Sequence, residues 1–245
     1  EFAHQWFGDM ATPLDFRDAW LSESFATFSE SVFLEMLFGY DKYLARQLEK
    51  KNDYFNKIVP YEGVLPLYNF RRTPPSSNYP GTIYNKGAVV VGMLRYLLGD
   101  DKFFELLRTY LDSSAYKSKS TQDFESFCNN YLGENISWFF KQWVYGKGYP
   151  IVEATVSKFP RGPDSADVLV KVKQVQNEDL GRYMNLPLEL NFKTGTKQYF
   201  DTVLVMRDVE QEFLLEGIPE FSELKINRGA KVVSLLQYSV YLDVT

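Results

Sequence analysis

The period of the hydrophobic pattern changes at Pro150, and this change constrains the fold more than any other feature of the sequence. Before Pro150 the apolar residues recur at helical spacing. The clearest helical stripe consists of Leu21, Phe25, Phe28, Val32 and Met36. After Pro150 apolar and polar residues alternate, which is the period of half-buried strands. We therefore predict a multi-domain α and β chain, mainly helical over residues 1–149 and an antiparallel β-sandwich over residues 150–245.

The helical part is expected to contain a long irregular loop. Five prolines fall between Val59 and Thr82, and proline disrupts a helix interior because it lacks an N–H group. A loop of this length often lines a functional site. Around this loop and the first stripe, helices are predicted over residues 41–56, 84–98, 102–111, 122–131 and 136–145. The strand-like runs after Pro150 are 151–157, 168–173, 186–192, 199–206, 212–216, 223–227 and 235–242.

The composition argues against some classes of function. The net charge is −5 and no basic stripe is present, so nucleic acid is not expected as a partner. Cys128 is the single cysteine, which excludes an intramolecular disulfide. No run of eighteen apolar residues occurs, so we expect no membrane-spanning segment. The cellular location stays open, because a targeting segment of a longer protein would precede Glu1.

The first eight residues, Glu1 to Gly8, match the end of a zinc-binding His-Glu-x-x-His helix and the residues that follow it. In that pattern the two histidines are four residues apart, so they lie on one helix face and converge on one metal ion. His4 would be the second histidine, and the first would lie upstream of Glu1. Glu23 follows nineteen residues after His4 and could supply a carboxylate. Two histidines, a glutamate and a water form a catalytic zinc site.

These residues resemble the gluzincin aminopeptidases, the thermolysin-like family that includes alanyl aminopeptidase, aminopeptidase N and leukotriene hydrolase. The family typically has eighteen residues between the second histidine and the glutamate, as this chain has between His4 and Glu23. The family residues kept around Glu23 are Trp20, Leu21, Phe25 and Ala26. Ser22 and Ser24 stand where asparagine and glycine are usual, which puts the local packing beside Glu23 in question.

The resemblance implies a role for each site residue. Glu1 would be the general base, and His4 and Glu23 would be ligands of one zinc ion whose third protein ligand lies upstream of Glu1. Tyr84 matches the tyrosine of the family's Tyr-x-Lys-Gly segment, where a phenol stabilises the oxyanion. Asp9 and Asp18 could orient zinc histidines or be ordinary solvated charges.

The resemblance also implies what the two parts of the chain are. Residues 1–149 would be the carboxy-terminal part of a zinc metallopeptidase catalytic domain, and residues 150–245 the β-sandwich that follows it. The parent would be an aminopeptidase acting on peptides, although the family's segment for the substrate amino group is absent from this sequence. The fragment itself is expected to be inactive, and its truncated apolar face is expected to favour self-association.

Two other functions stay open from the sequence. The chain could be a non-catalytic scaffold or binding module of a pseudoenzyme. A related gluzincin hydrolase, such as an epoxide hydrolase, would use the same zinc, base and tyrosine.

Overall fold

The computed structural model describes residues 1–69, 79–196, 198–227 and 235–243. The chain divides into two compact units, Glu1–Gly148 and Tyr149–Thr245. Within the described ranges, no helix has the length and apolar character needed to cross a membrane.

The first unit is mainly helical. Its α-helices are α1 Trp20–Phe38, α2 Tyr40–Asp53, α3 Val59–Glu62, α4 Gly81–Leu98, α5 Asp100–Ser114, α6 Thr121–Leu132 and α7 Ser137–Phe140. Its shorter helical turns are the 3₁₀ turns Phe2–Gln5 and Phe16–Asp18 and the π-helical turns Tyr54–Ile58 and Lys141–Tyr145. Two short strands, β1 Ala11–Pro13 and β2 Lys117–Lys119, pair in parallel.

Local sequence signals account for several helix boundaries. Helix α1 ends at Gly39 and α4 ends at Gly99, where φ is +86° and +78°, a conformation that favours glycine. Helix α6 begins with a capping box. The Ser120 hydroxyl accepts a hydrogen bond from the Asp123 N–H, and the Asp123 carboxylate accepts one from the Ser120 N–H.

Two expectations for the helical unit are wrong. Residues 59–82 were expected to be irregular, but α3 runs through Glu62 because Pro60 lies in its first turn, where a missing N–H removes no helical hydrogen bond. Residues 70–78 of that predicted loop lie outside the described residues. The apolar stripe of α1 also ends early, since Phe25 and Phe28 are buried whereas Met36 is 79% exposed.

Helices α1 and α4 pack closely at one point. The Ser24 hydroxyl of α1 donates a hydrogen bond to the Ile83 carbonyl of α4, at 2.6 Å. Gly87 lies opposite, where an added Cβ would overlap the Ser24 hydroxyl and lie 2.5 Å from the Ser24 Cβ. This contact sets the distance between the first turns of the two helices, which carry Glu23 and Tyr84.

The second unit contains two sheets. Its strands are β3 Ile151–Pro160, β4 Ser165–Gln174, β5 Leu186–Lys193, β6 Tyr199–Met206, β7 Glu210–Pro219, β8 Glu223–Ile226 and β9 Gln237–Asp243. One sheet has the order β7-β4-β3-β9 and the other β6-β5-β8. In β4 the buried side chains are those of alternate residues, as predicted: Val168, Val170 and Val172 are fully buried.

The expectation of a wholly antiparallel unit is wrong. Strand β3 pairs with β9 in parallel, whereas the other strand pairs of the two sheets are antiparallel in the part of the chain that is described. The alternation of apolar residues shows which face of a strand is buried but carries no information on the direction of its neighbour. The packing of the two sheets as a sandwich stays a prediction.

Candidate metal and catalytic site

His4 lies on a 3₁₀ turn and not on the α-helix that the motif predicts. Phe2–Gln5 form this turn, and the His4 N–H donates to the Glu1 carbonyl at 3.1 Å. Phe7 then stacks on Phe25 of α1 with ring centroids 4.9 Å apart, and this contact brings the turn against α1.

Two consecutive residues of α1 contact the two nitrogens of the His4 ring. The Glu23 Oε2 atom lies 3.4 Å from His4 Nε2. On the other side of the ring, Nδ1 lies 3.0 Å from Ser22 Oγ and 3.1 Å from the carbonyl oxygen of Phe7. His4 and Glu23 are therefore neighbours in space, as their register in the sequence predicts.

Tyr84 lies in the first turn of α4, beside Glu23. Burial, followed by the nearby charge of Glu23 and hydrogen bonding with it, raises the pKa of Tyr84 to about 12. The phenol therefore keeps its proton throughout the neutral range. The N-terminus of α4 is fixed from outside the helix, because the Glu62 carboxylate accepts hydrogen bonds from the N–H groups of Gly81 and Thr82 at 2.6 and 3.2 Å.

The carboxylates of the site influence each other. Burial raises the pKa of Glu23, the nearby His4 opposes this shift, and the charge of Glu1 adds to it. Glu1 also raises the pKa of Tyr84 slightly. The side chain of Glu1 is exposed. The structure therefore brings His4, Glu23 and Tyr84 together. Glu1 is close enough for its charge to raise the pKa of both Glu23 and Tyr84.

The pair of His4 and Glu23 fits part of a zinc site. Imidazole nitrogen and carboxylate oxygen are both zinc donors, and two donors on one tetrahedral zinc, each about 2.0–2.2 Å from the metal, lie roughly 3.3–3.5 Å apart. The 3.4 Å between Nε2 and Oε2 agrees with that spacing. Among the described residues, no group of three histidine, cysteine or acidic side chains could hold a metal. This chain thus offers two donors and a neighbouring phenol.

Asp18 has a structural role that neither sequence alternative anticipates. Its buried carboxylate accepts hydrogen bonds from the Thr121 N–H and hydroxyl, both at 2.7 Å, and so caps α6. Asp9 is exposed.

Sequence reasoning missed three residues around the site. Ser22 was noticed only as a departure from the family pattern, and Glu62 and Lys86 were not singled out for a function. The Lys86 ammonium is fully buried and donates to four backbone carbonyls, those of Leu65, Gly146, Lys147 and Gly148, at 3.1–3.4 Å. The one sequence signal for a role of Lys86 was its place in Tyr84-Asn85-Lys86-Gly87, which matches the family's Tyr-x-Lys-Gly segment.

The comparisons with known proteins agree on one family. The family model described as "Peptidase family M1 domain" matches residues 1–143. Aminopeptidase N of Lactococcus lactis subsp. cremoris (strain MG1363) is 29% identical over 241 residues, which cover 96% of this chain and 26% of that protein. Probable aminopeptidase 2 of Sulfurisphaera tokodaii is 30% identical over 170 residues, covering 64% of this chain and 20% of that protein.

A solved structure shows the same fold. The crystal structure of Legionella pneumophila aminopeptidase A in complex with aspartic acid matches with a TM-score of 0.68 and 24% sequence identity. The match covers 98% of this chain and 26% of that one. The chain therefore spans about a quarter of the length of the aminopeptidase N relatives and of this structure.

Proposed function

The chain belongs to peptidase family M1, and on this basis we propose that it is part of a zinc aminopeptidase that removes N-terminal residues from peptides. The names of the relatives, aminopeptidase N and probable aminopeptidase 2, support the reaction class. The observation that carries the proposal is the 3.4 Å approach of His4 Nε2 to Glu23 Oε2, with Tyr84 beside that pair.

In the parent protein His4 and Glu23 would hold the zinc ion together with a third protein ligand located upstream of Glu1. When bound, zinc lowers the pKa of water and polarises a peptide carbonyl. The chain alone supplies two of the three ligands, so it should bind zinc far more weakly than the parent. We therefore expect the chain by itself to be inactive.

Glu1 would accept the proton of the attacking water. The residue next to the first motif histidine is placed for this role in the family pattern, and a carboxylate is an effective general base when its pKa is matched to the reaction. The electrostatic influence of Glu1 on both Glu23 and Tyr84 supports its being close to the reacting groups.

Tyr84 would donate a hydrogen bond to the oxyanion that develops on the substrate carbonyl. A preorganised neutral donor stabilises such a charge without reorganisation at the moment of reaction. The pKa of about 12 supports this role, because it keeps the phenol in its donating form. The α1–α4 contact at Ser24 and Gly87 would hold the phenol in place relative to Glu23.

The two units would belong to separate domains of the parent protein. We propose that the unit Glu1–Gly148 is the carboxy-terminal part of the catalytic domain, and that the two sheets of the unit Tyr149–Thr245 form a β-sandwich domain. Alternate residues of β4 are buried, and residues 188–192 of β5 are buried on both faces of the strand; these buried faces support the packing that such a sandwich requires.

The test compares zinc content and hydrolysis of aminoacyl chromogenic substrates in the parent protein and in this chain. We expect stoichiometric zinc and turnover in the parent, both lost in Glu23→Ala. Glu134→Ala is the matched control, because Glu134 is exposed and lies away from the site in sequence. Absence of zinc and of turnover from the parent would contradict the proposal and favour the scaffold alternative.

A further inference from the structure

We propose that Ser22 is a positioning residue that fixes the His4 ring for metal binding by accepting a hydrogen bond from Nδ1–H. This inference rests on the proposed function, since it gives His4 Nε2 the role of a zinc donor. Ser22 precedes Glu23 on α1, so one helical turn would both orient the imidazole ligand and provide the carboxylate ligand.

The hydrogen-bond pattern determines which nitrogen carries the proton. The Phe7 carbonyl oxygen, 3.1 Å from Nδ1, can only accept. The Ser22 hydroxyl donates to that same carbonyl at 2.7 Å, which leaves the lone pairs of its oxygen free to accept from Nδ1 at 3.0 Å. Nδ1 is therefore the protonated nitrogen, and Nε2 is the atom that faces Glu23.

The backbone around Gly8 permits this close approach. Gly8 has φ of +138°, and an added Cβ there would lie 2.8 Å from Ser22 Oγ and 3.5 Å from His4 Nδ1. Any larger residue would push the hydroxyl away from the ring. The side chain of Ser22 is short, and it reaches both Nδ1 and the Phe7 carbonyl because Gly8 leaves this space open.

The expected consequence is an increase in metal affinity. A second hydrogen bond on a metal-ligating imidazole fixes its tautomer and orientation and makes the coordinating nitrogen more basic. Loss of such a partner typically weakens metal binding by about 10–100-fold. Ser22→Ala should therefore raise the zinc Kd of the parent protein by about this factor. Ser22→Thr keeps a hydroxyl and should recover most of the affinity.

His4 is the sole histidine of the chain, so its ring can be observed without overlap. In the 245-residue chain with ¹⁵N-labelled histidine, we expect an Nδ1–H signal that exchanges slowly with water. Ser22→Ala should reduce this protection, because the Phe7 carbonyl is then left to accept from Nδ1 without the Ser22 hydroxyl, and Ser22→Thr should keep it. Ser29→Ala is the matched control, because Ser29 is also on α1 but donates to the Phe25 carbonyl within its own helix.

The two readouts separate failure of the inference from failure of the proposed function. If Ser22→Ala behaves like Ser29→Ala in Nδ1–H exchange and in zinc Kd, the positioning role is overturned. If the parent binds no zinc, the proposed function fails. In that case the exchange measurement still tests the hydrogen bond between Ser22 and Nδ1. Weaker protection in Ser22→Ala but not in Ser29→Ala supports this hydrogen bond, and unchanged protection in Ser22→Ala refutes it.

Discussion

Two residues of one helix turn, Ser22 and Glu23, contact the two nitrogens of the His4 ring. These contacts fix the orientation of the ring. Ser22 and the Phe7 carbonyl contact Nδ1, and Glu23 faces Nε2. Tyr84 completes the group from α4. The chemistry proposed for each residue therefore depends on a specific atom, and single substitutions can test it.

Tyr84→Phe in the parent protein should lower kcat by about 10²–10³-fold, the usual effect of removing one oxyanion donor. KM should change little, because the hydrogen bond strengthens only as charge develops. Tyr61→Phe is the control, since Tyr61 is 91% exposed. Steady-state kinetics of both variants checks the prediction, and equal rates for Tyr84→Phe and Tyr61→Phe would contradict it.

The residues of the site were predictable to different degrees. The register of the sequence predicts that Glu23 lies near His4, because both follow a fixed pattern. The contacts of Glu62 and Lys86 could not be predicted, since they reach backbone groups 19 to 62 residues away in the chain. No local pattern records such contacts. Ser22 was visible as a departure, but its contact with Nδ1 depends on the open space at Gly8.

At the scale of elements, α4 is the helix that positions Tyr84, and it is attached at three points. Glu62 caps its N-terminus, Ser24 and Gly87 set its distance from α1, and Lys86 joins it to the carbonyls of Leu65 and of residues 146–148. The first turn of α4 is therefore held from different sides.

Gly87→Ala should destabilise the chain by about 1–3 kcal/mol, because the new methyl group would overlap the Ser24 side chain. In the Ser24→Gly background the same substitution should be better tolerated, since the overlapping atoms are gone. Urea unfolding of the two single variants and the double variant gives the coupling energy. Additive effects would show that the two helices do not pack at this point.

Lys86→Met should destabilise the chain by about 3 kcal/mol, because four backbone carbonyls lose the Lys86 side chain as their donor. Burial lowers the pKa of Lys86 to about 7, from the ordinary value of 10.5. Between these values the unfolded chain binds a proton that the folded chain has released, so this residue makes stability rise with pH.

The stability difference between the wild-type chain and Lys86→Met isolates that pH effect, because methionine does not titrate. Urea unfolding at about pH 7 and about pH 10 should give a larger difference at the higher pH. A difference that is constant between these two conditions would mean that the carbonyl oxygens keep the ammonium charged.

The boundaries of the elements were predictable where local chemistry decides them. Gly39, Gly99 and the Ser120 capping box are such cases. The region near Pro60 was mispredicted because proline is equally compatible with a loop and with the first turn of a helix. The parallel pairing of β3 with β9 could not be predicted, since it joins strands from opposite ends of the second unit.

At the scale of the whole molecule, the end of α1 presents apolar side chains to solvent. Phe33, Met36, Leu37 and Phe38 are between 56% and 79% exposed. Contiguous exposed apolar surface of this kind favours association. We expect the chain to self-associate with increasing concentration, as measured by light scattering after size-exclusion chromatography.

The variant Met36→Lys should shift the chain toward the monomer, because a charge on this surface opposes its burial. Tyr61→Lys serves as the control at an exposed aromatic residue outside α1. A monomer at every concentration, or an equal effect of both variants, would exclude the end of α1 as the associating surface.

The most direct test of the account is an anomalous diffraction measurement at the zinc absorption edge on crystals of the parent protein. The account predicts one strong peak within about 2.0–2.2 Å of both His4 Nε2 and Glu23 Oε2. A zinc peak that lies away from either atom, or no zinc peak in protein that hydrolyses aminoacyl substrates, would contradict the assignment of these two residues as ligands of one catalytic metal.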